Sequence, residues 1–411
     1  MKLLVDVSPL REHRDFRLLW IGQAVTFLGS MITYVAVPYQ LYSLTGSTAA
    51  VGALGAIEFV AMMATAFLGG ALADALDRRR MVRITEGLML LASAVLLGNA
   101  LLDAPSTVGL YVVMLFLVAA ECLQRPSLDA LLPRLVPKEQ LVSAAALNSF
   151  RMTSGAIAGP ALGGVLIASF GVAATYAVDV ATFAVSLTML WLMKAVPPPP
   201  EAERPSVRGV LDGIAYARSR PELIGTYLVD INATFWGMPN ALFPALAVGL
   251  GGPGVLGLLY SAPFVGALVA SATSGWCARV HRQGLGVLWA AGLWGVALFF
   301  FGLASTLWLA LLFLALAGAA DMVSGVFRST IWNTTIPDHL RGRLAGIELV
   351  SYGTGPSLGN LEAGGVAAFT SPRFSVGLGG ALCVAGTIAL AVALPVFRSY
   401  DARHAVAPSG G

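Results

Sequence analysis

Charge is scarce in this chain. Asp, Glu, Lys and Arg make up 11% of its 411 residues, against roughly 25% in ordinary soluble proteins, so a water-soluble domain with a conventional surface is excluded. The formal net charge of +3 gives no footprint for nucleic acid. Cysteine is scarce too: Cys122, Cys277 and Cys383 lie in apolar runs without CxxC or Cys/His spacing, which excludes a zinc finger and a disulfide framework. There is no Gly-Lys-Ser/Thr phosphate loop, and His13, His281, His339 and His404 fall on loops or tails. ATP is therefore not the expected fuel, no catalytic triad is in sight, and no enzyme activity, metal or cofactor is expected. Charges precede the first long apolar run and no small-residue cleavage site is found, so no removable signal peptide is expected.

Apolar sequence is what the chain has in quantity, with 57% hydrophobic residues and a mean hydropathy of +0.78. A run of about 20 apolar residues spans the roughly 30 Å hydrocarbon core as a helix. About twelve such runs are predicted, at 17–43, 48–74, 80–101, 107–131, 140–168, 172–193, 222–249, 254–278, 284–303, 306–332, 343–369 and 376–397. The expected fold class is thus an all-α integral membrane protein of two six-helix halves. Between runs six and seven, Pro197–Pro200 cannot continue a helix, while Val207, Leu211, Ile214 and Ala215 recur at helical spacing, predicting a short amphipathic surface helix. The expected division is a segment 1–15, a half 16–194, a linker 195–220, a half 221–397 and a tail 398–411.

Lys and Arg are retained on the cytoplasmic side. With both termini cytoplasmic, of the 25 basic residues only Arg373 falls outside, while Arg125, Arg151 and Arg328 sit within predicted spans. A plasma-membrane location with cytoplasmic termini follows as the expectation.

The stretch RMTSGAIAGPALGG sets Gly155, Gly159, Pro160, Gly163 and Gly164 inside the fifth run. Small residues let helix backbones approach closely in lipid, and neighbours re-satisfy what Pro frees. Residues 137–165 align with 337–365 without a gap, matching Gly155, Gly159 and Gly164 with Gly355, Gly359 and Gly364; Pro38 likewise pairs with Pro244 and Gly70 with Gly275. Six helices repeated in one orientation imply a pseudo-two-fold axis along the membrane normal with a cavity between the halves, the architecture of a transporter.

These residues resemble the major facilitator superfamily. Gly69 to Arg80, GGALADALDRRR, resembles the family's G-x-L-A-D-R-x-G-R-R signature, with Ala75 in place of a basic residue and Asp77 in place of glycine. The resemblance implies a gate built on Gly70, Asp74 and Arg78, with Arg279 among the matching structural positions. The Gly155–Gly164 stretch matches the fifth-helix motif of the exporting, proton-antiporting branches, and implies an outward-directed cycle. SPLREHRDFRLLWIGQAVTFLG, GMPNALFPALA and GAADMVSGVFRSTIWNTTIPDHLRGRLAG look like the enterobactin-exporter group of bacterial permeases.

An ionisable group at membrane depth usually faces the bundle interior or a wet cavity. The candidates are Glu58, Glu86, Glu121, Asp129, Asp179, Asp230, Asp321, Glu348 and Glu362, with Arg125, Arg151 and Arg328. Burial penalises the charged carboxylate, which is what a proton-coupling site uses. Glu121 and Asp321 hold equivalent positions and, with Asp230, head the coupling candidates, followed by Glu348 and Glu58. Alternatively Glu121 pairs with Arg125 at i, i+4 and Asp321 with Arg328, while Asp230 has no basic residue at helical spacing. Arg151 either clamps an anionic or catechol-rich substrate through its planar fork or neutralises Glu121 or Glu58, with Glu348 a partner from the other half.

Tyr34, Asn148, Asn232, Trp236, Trp332 and Asn333 are the amide and aromatic candidates for a flat, amphipathic ligand, each with a packing role as the alternative; Asn232 and Trp236 rank first. Pro38 and Pro244 bend the gating helices. The expected activity is proton-coupled export of a small organic molecule by alternating access, with a siderophore or related natural product as cargo. The partners are thus protons, the cargo and the lipid bilayer, with the protein a monomer. The alternatives are macrolide- or tetracycline-type multidrug efflux and, from another class, a non-transporting receptor or scaffold.

Overall fold

A computed structural model describes residues 6–75, 78–194 and 215–404; within them the side chains of 66–75, 338–339, 341–343, 345–350 and 404 are not described. The amphipathic segment expected at 207–215 lies almost wholly outside these residues.

Long helices follow from apolar runs with few internal charges, because a backbone in lipid must satisfy its own hydrogen bonds. They are α1 (Arg14–Thr45), α2 (Thr48–Ala75), α3 (Arg78–Ala100), α4 (Thr107–Leu131), α5 (Leu141–Phe170), α6 (Val172–Leu192), α7 (Pro221–Trp236), α8 (Pro253–Ala272), α9 (Gln283–Leu303), α10 (Leu307–Thr335), α11 (Asp338–Phe369) and α12 (Pro372–Ala393). Among the described residues, ten of the helices are long and apolar enough to cross a membrane. Of the other two, α7 is short and α11 carries Asp338, Arg341, Arg343 and Glu348 in its first three turns and Glu362 farther on.

The ends are set by local chemistry. α1 stops at Gly46 with φ 61°, left-handed backbone that glycine adopts readily. Ser106 caps α4 by accepting from the Gly109 amide at 3.1 Å, and Ser371 caps α12 by accepting from Phe374 at 3.2 Å.

The seventh predicted span is not one helix. α7 ends at Trp236, Gly237 to Pro239 leave the helical path, and a short helix resumes over Phe243–Leu250. Pro239 and Pro244 lack the amide protons a continuous helix needs there. Asn360 Oδ1 on α11 accepts from the freed Ala241 amide at 3.0 Å.

The chain forms two compact units. The first takes residues 1–46, 60–205 and 252–261, and the second 47–59, 206–251 and 262–411, so the opening turns of α2 belong to the second and those of α8 to the first. In the first, α1 packs on α5 and α6, and α3 on α4 and α6; in the second, α7 packs on α11 and α12, and α9 on α10 and α12. Each pair recurs six helices on.

The glycines explain why the repeat survives. A Cβ at Gly155 would strike the Phe27 ring of α1, and one at Gly159 would strike Met31. In the second unit a Cβ at Gly355 would strike Thr234, and one at Gly359 would lie 3.1 Å from the Met238 Cβ. The same helix pair is thus brought close by the same spacing of small residues.

Candidate functional site

Each unit holds a polar set built around an arginine. In the first, α4 presents Glu121, Arg125 and Asp129 at successive i, i+4 positions, all exposed, so they share one helix face. Arg151 on α5 is half-buried. Its guanidinium donates to Asn148 Oδ1 through Nε at 3.1 Å and a terminal nitrogen at 2.8 Å, and to the Gln23 carbonyl of α1 at 3.0 Å. The Phe27 ring lies 5.8 Å from it. Asp129 attracts this cation from farther off, so its short contacts are with neutral acceptors.

In the second unit Arg328 on α10 is buried and forms an ion pair with buried Asp230 on α7. Its other terminal nitrogen lies 3.5 Å from Asp321 Oδ1, whose side chain is 55% exposed. Arg328 also stands 5.3 Å from the Tyr352 ring centre on α11. Tyr352 meets Trp332 edge to face at 5.5 Å, and Trp332 meets Tyr227 at 5.8 Å. The Trp332 indole donates to Thr226 Oγ1 at 2.8 Å. An arginine with aromatic neighbours and two carboxylates is a site able to bind flat, charged groups.

The sequence profile of the transmembrane secretion effector family matches residues 5–408. The chain belongs to this family, a branch of the major facilitator superfamily. As a secretion effector of that superfamily it is a transporter and not an enzyme. It is 31% identical over 378 residues to the enterobactin exporter EntS of Citrobacter koseri, which covers 92% of this chain and 91% of that one. It is 30% identical over 410 residues to the enterobactin exporter EntS of Escherichia coli O157:H7, covering 99% of each. In fold it is similar to the nucleoside transporter NupG, with a TM-score of 0.75 at 15% identity over 92% of this chain and 98% of that one.

The other candidates of the secretion effector are dispersed. Asn232 donates to the Cys383 carbonyl at 3.1 Å and Thr387 Oγ1 at 3.2 Å on α12, and Trp236 packs on the apolar cluster of Val229, Ala233 and Cys383. Tyr34 meets Tyr260 edge to face at 5.3 Å. Asn333 is exposed and Glu58 half-buried. Glu348, Gly70 and Asp74 lie on helices whose side chains there are outside the described residues. Arg78 donates to the Ala130 carbonyl at 2.8 Å, and Arg279 is exposed in a short 3-10 turn. Pro160 shares its helix with Ile157, whose carbonyl accepts from Ser261 of α8 at 2.7 Å.

Sequence reasoning left Asp230 without a partner because it sought one on the same helix. Arg328 supplies it from α10. Tyr227, Tyr352 and Gln23 were not singled out; Tyr227 and Tyr352 carry a signal as polar aromatics within a turn or so of Asp230 and Glu348.

Proposed function

We propose that this transporter exports an anionic, catechol-rich siderophore or a closely related natural product across the plasma membrane in exchange for protons, by rocking two halves, 16–194 and 221–397, about a central site. Both termini stand in the cytoplasm in this reading. Arg151 carries it. Its short hydrogen bonds go to Asn148 and the Gln23 carbonyl, so its charge is held in place but not cancelled at contact distance. Arg328, by contrast, is committed to Asp230. A guanidinium fork positioned by neutral acceptors is suited to a catecholate or carboxylate ligand, and the full-length similarity to exporters named for enterobactin supports the same cargo class.

Among the carboxylates of the two polar sets, Asp230 is neutralised by Arg328, whereas Glu121 and Asp321 are exposed at equivalent positions. In this reading these two, with the exposed Asp129 nearer the end of α4, exchange protons with a wet cavity. Multidrug efflux is the second reading, favoured by the carboxylates exposed on α4 and α10.

The test is efflux in inverted vesicles with a catecholate siderophore and a lipophilic cation as cargoes, with and without the proton gradient. Siderophore movement that stops when the gradient collapses is expected. Siderophore movement unaffected by collapse removes the proton from the scheme, and cation movement alone turns the assignment to multidrug efflux.

A further inference from the structure

A second polar seam runs through the first unit, away from the residues discussed above, where α1, α3 and α6 meet. It has two layers. In one, Asp179 of α6 is buried and its Oδ2 accepts from Thr33 of α1 at 2.7 Å and Ser93 of α3 at 2.8 Å, with Thr182 beside it. In the other, Glu86 of α3 is fully buried, at 0% exposure. The two layers are seven residues apart along both α3 (Glu86 to Ser93) and α6 (Asp179 to Ser186), about 10 Å at 1.5 Å per residue.

The layers are provisioned differently. Asp179 has hydroxyl donors from two neighbouring helices, the arrangement that holds a charged carboxylate. Glu86 has one amide and at most one hydroxyl, both neutral: the Gln23 amide of α1 donates to Oε1, and Ser186 of α6 stands by the other oxygen. Its Oε2 and the hydroxyl of Ser186 on α6 are both buried, and each has only the other to pair with. The serine can donate to a charged carboxylate, or a proton on Oε2 lets the carboxyl donate to the serine; only the second leaves this layer without a net charge. Without that proton a full charge would sit at membrane depth with neutral partners alone. The charged neighbours do not supply a counter-ion: α1 faces Glu86 with Gln23 and α6 with Ser186, and Arg83, three residues earlier on α3, stands 4.4 Å from the Trp191 ring centre. The charged residues of α4 (Glu121, Arg125 and Asp129) are exposed, and among the described residues none pairs with Glu86.

We infer that Glu86, held by Gln23 and Ser186 in the α1/α3/α6 seam, is a second proton-binding carboxyl of this transporter, loaded with a proton at rest and emptied during the cycle. The inference rests on the proton-coupled reading above. α1 is the helix that supplies both the Gln23 amide to Glu86 and the Gln23 carbonyl to Arg151. Loss of the Glu86 proton, by drawing the Gln23 side chain to a full charge, therefore acts on the residue that also positions the cargo-binding guanidinium.

The experiment has two readouts on the full chain. In cargo-free lipid nanodiscs, infrared spectroscopy is expected to show a protonated-carboxyl C=O band in the wild type at neutral pH that is missing in Glu86→Gln. In proteoliposomes with a catecholate cargo, Glu86→Gln is expected to lose at least about tenfold of the stimulation by a proton gradient, while gradient-free counterflow persists. A band unchanged in Glu86→Gln overturns the inference, and so does a wild-type gradient response in that variant. A wild type that shows no gradient response sinks the coupling reading itself and this inference with it, an outcome the wild-type control separates from the other two. Should Glu86→Gln not fold, Glu86→Asp keeps a titratable group at a shorter reach. A displaced carboxyl band and a displaced pH midpoint of uptake support the assignment, and an unmoved band and midpoint overturn it.

Discussion

Gly164 of α5 and Gly257 of α8 meet backbone to backbone: a Cβ on Gly164 would lie 2.7 Å from the Gly257 amide nitrogen and 2.9 Å from its Cα. Gly364 of α11 stands in the same relation to Gly52 of α2, where a Cβ would lie 2.7 Å from the Gly52 Cα. Neither neighbour is a side chain that can swing aside. Gly164→Ala and Gly364→Ala should each cost about 1–3 kcal/mol by overpacking, read as a lowered midpoint of thermal unfolding in detergent. Gly365→Ala is the control, since nothing lies within 4 Å of its Cβ position.

Arg328 and Asp230 are both buried, so removing one strands the other. Arg328→Leu should destabilise the protein by about 3–5 kcal/mol, the usual cost of leaving an uncompensated buried charge. The double variant Arg328→Leu/Asp230→Leu should recover most of that loss in the same unfolding assay, because it removes both charges together. Asp321→Asn should change stability by less than about 1 kcal/mol, since its side chain is 55% exposed and the contact to Arg328 is 3.5 Å.

Arg151→Lys separates charge from shape. The Asn148 carbonyl accepts from two nitrogens of one guanidinium plane, which an ammonium cannot reproduce. Efflux of a catecholate cargo should fall by about tenfold or more, the equivalent of one charge-assisted hydrogen bond, while thermal unfolding changes little. Asn148→Leu should lower efflux in the same direction by releasing the fork. Efflux at the wild-type rate in both variants would remove Arg151 from the cargo site.

Asp179 depends on its hydroxyl donors. Thr33→Val and Ser93→Ala should each cost about 1.5–3 kcal/mol, the range for hydrogen bonds to a charged group. Because both donate to Oδ2, the double variant should depart from the sum of the singles, a departure that equilibrium unfolding of the four proteins would measure.

The fold was readable to the extent that it is written in period and composition. The apolar runs locate the helices, and the matched glycines of α5 and α11 locate the repeat. The break after Trp236 was less readable, because the run of apolar residues to Leu250 hides it; Pro239 and Pro244 were its signal. The polar sets were half readable. Charged residues at membrane depth name themselves, and so Asp230, Asp321, Arg328, Arg151, Glu86 and Asp179 all stood out. Their pairings did not, since helical spacing reveals only partners on the same helix, whereas Arg328 meets Asp230 from another one. Asn232 and Trp236 share a helix with Asp230 yet turn to α12, a matter of rotation that sequence spacing leaves open.

The sequence by itself determined a membrane protein of repeated six-helix design, because burying this much apolar surface with so few charges has no aqueous solution, and because close helix contacts require glycine where a side chain would collide. Only the tertiary structure decided which charges cancel. Attraction between ionic groups in a low-dielectric interior depends on angstroms between helices distant in sequence. Arg328 thus meets Asp230 and Asp321, Arg151 is held by the Asn148 side chain and the Gln23 carbonyl, and Glu86 lies in a buried seam with only neutral partners.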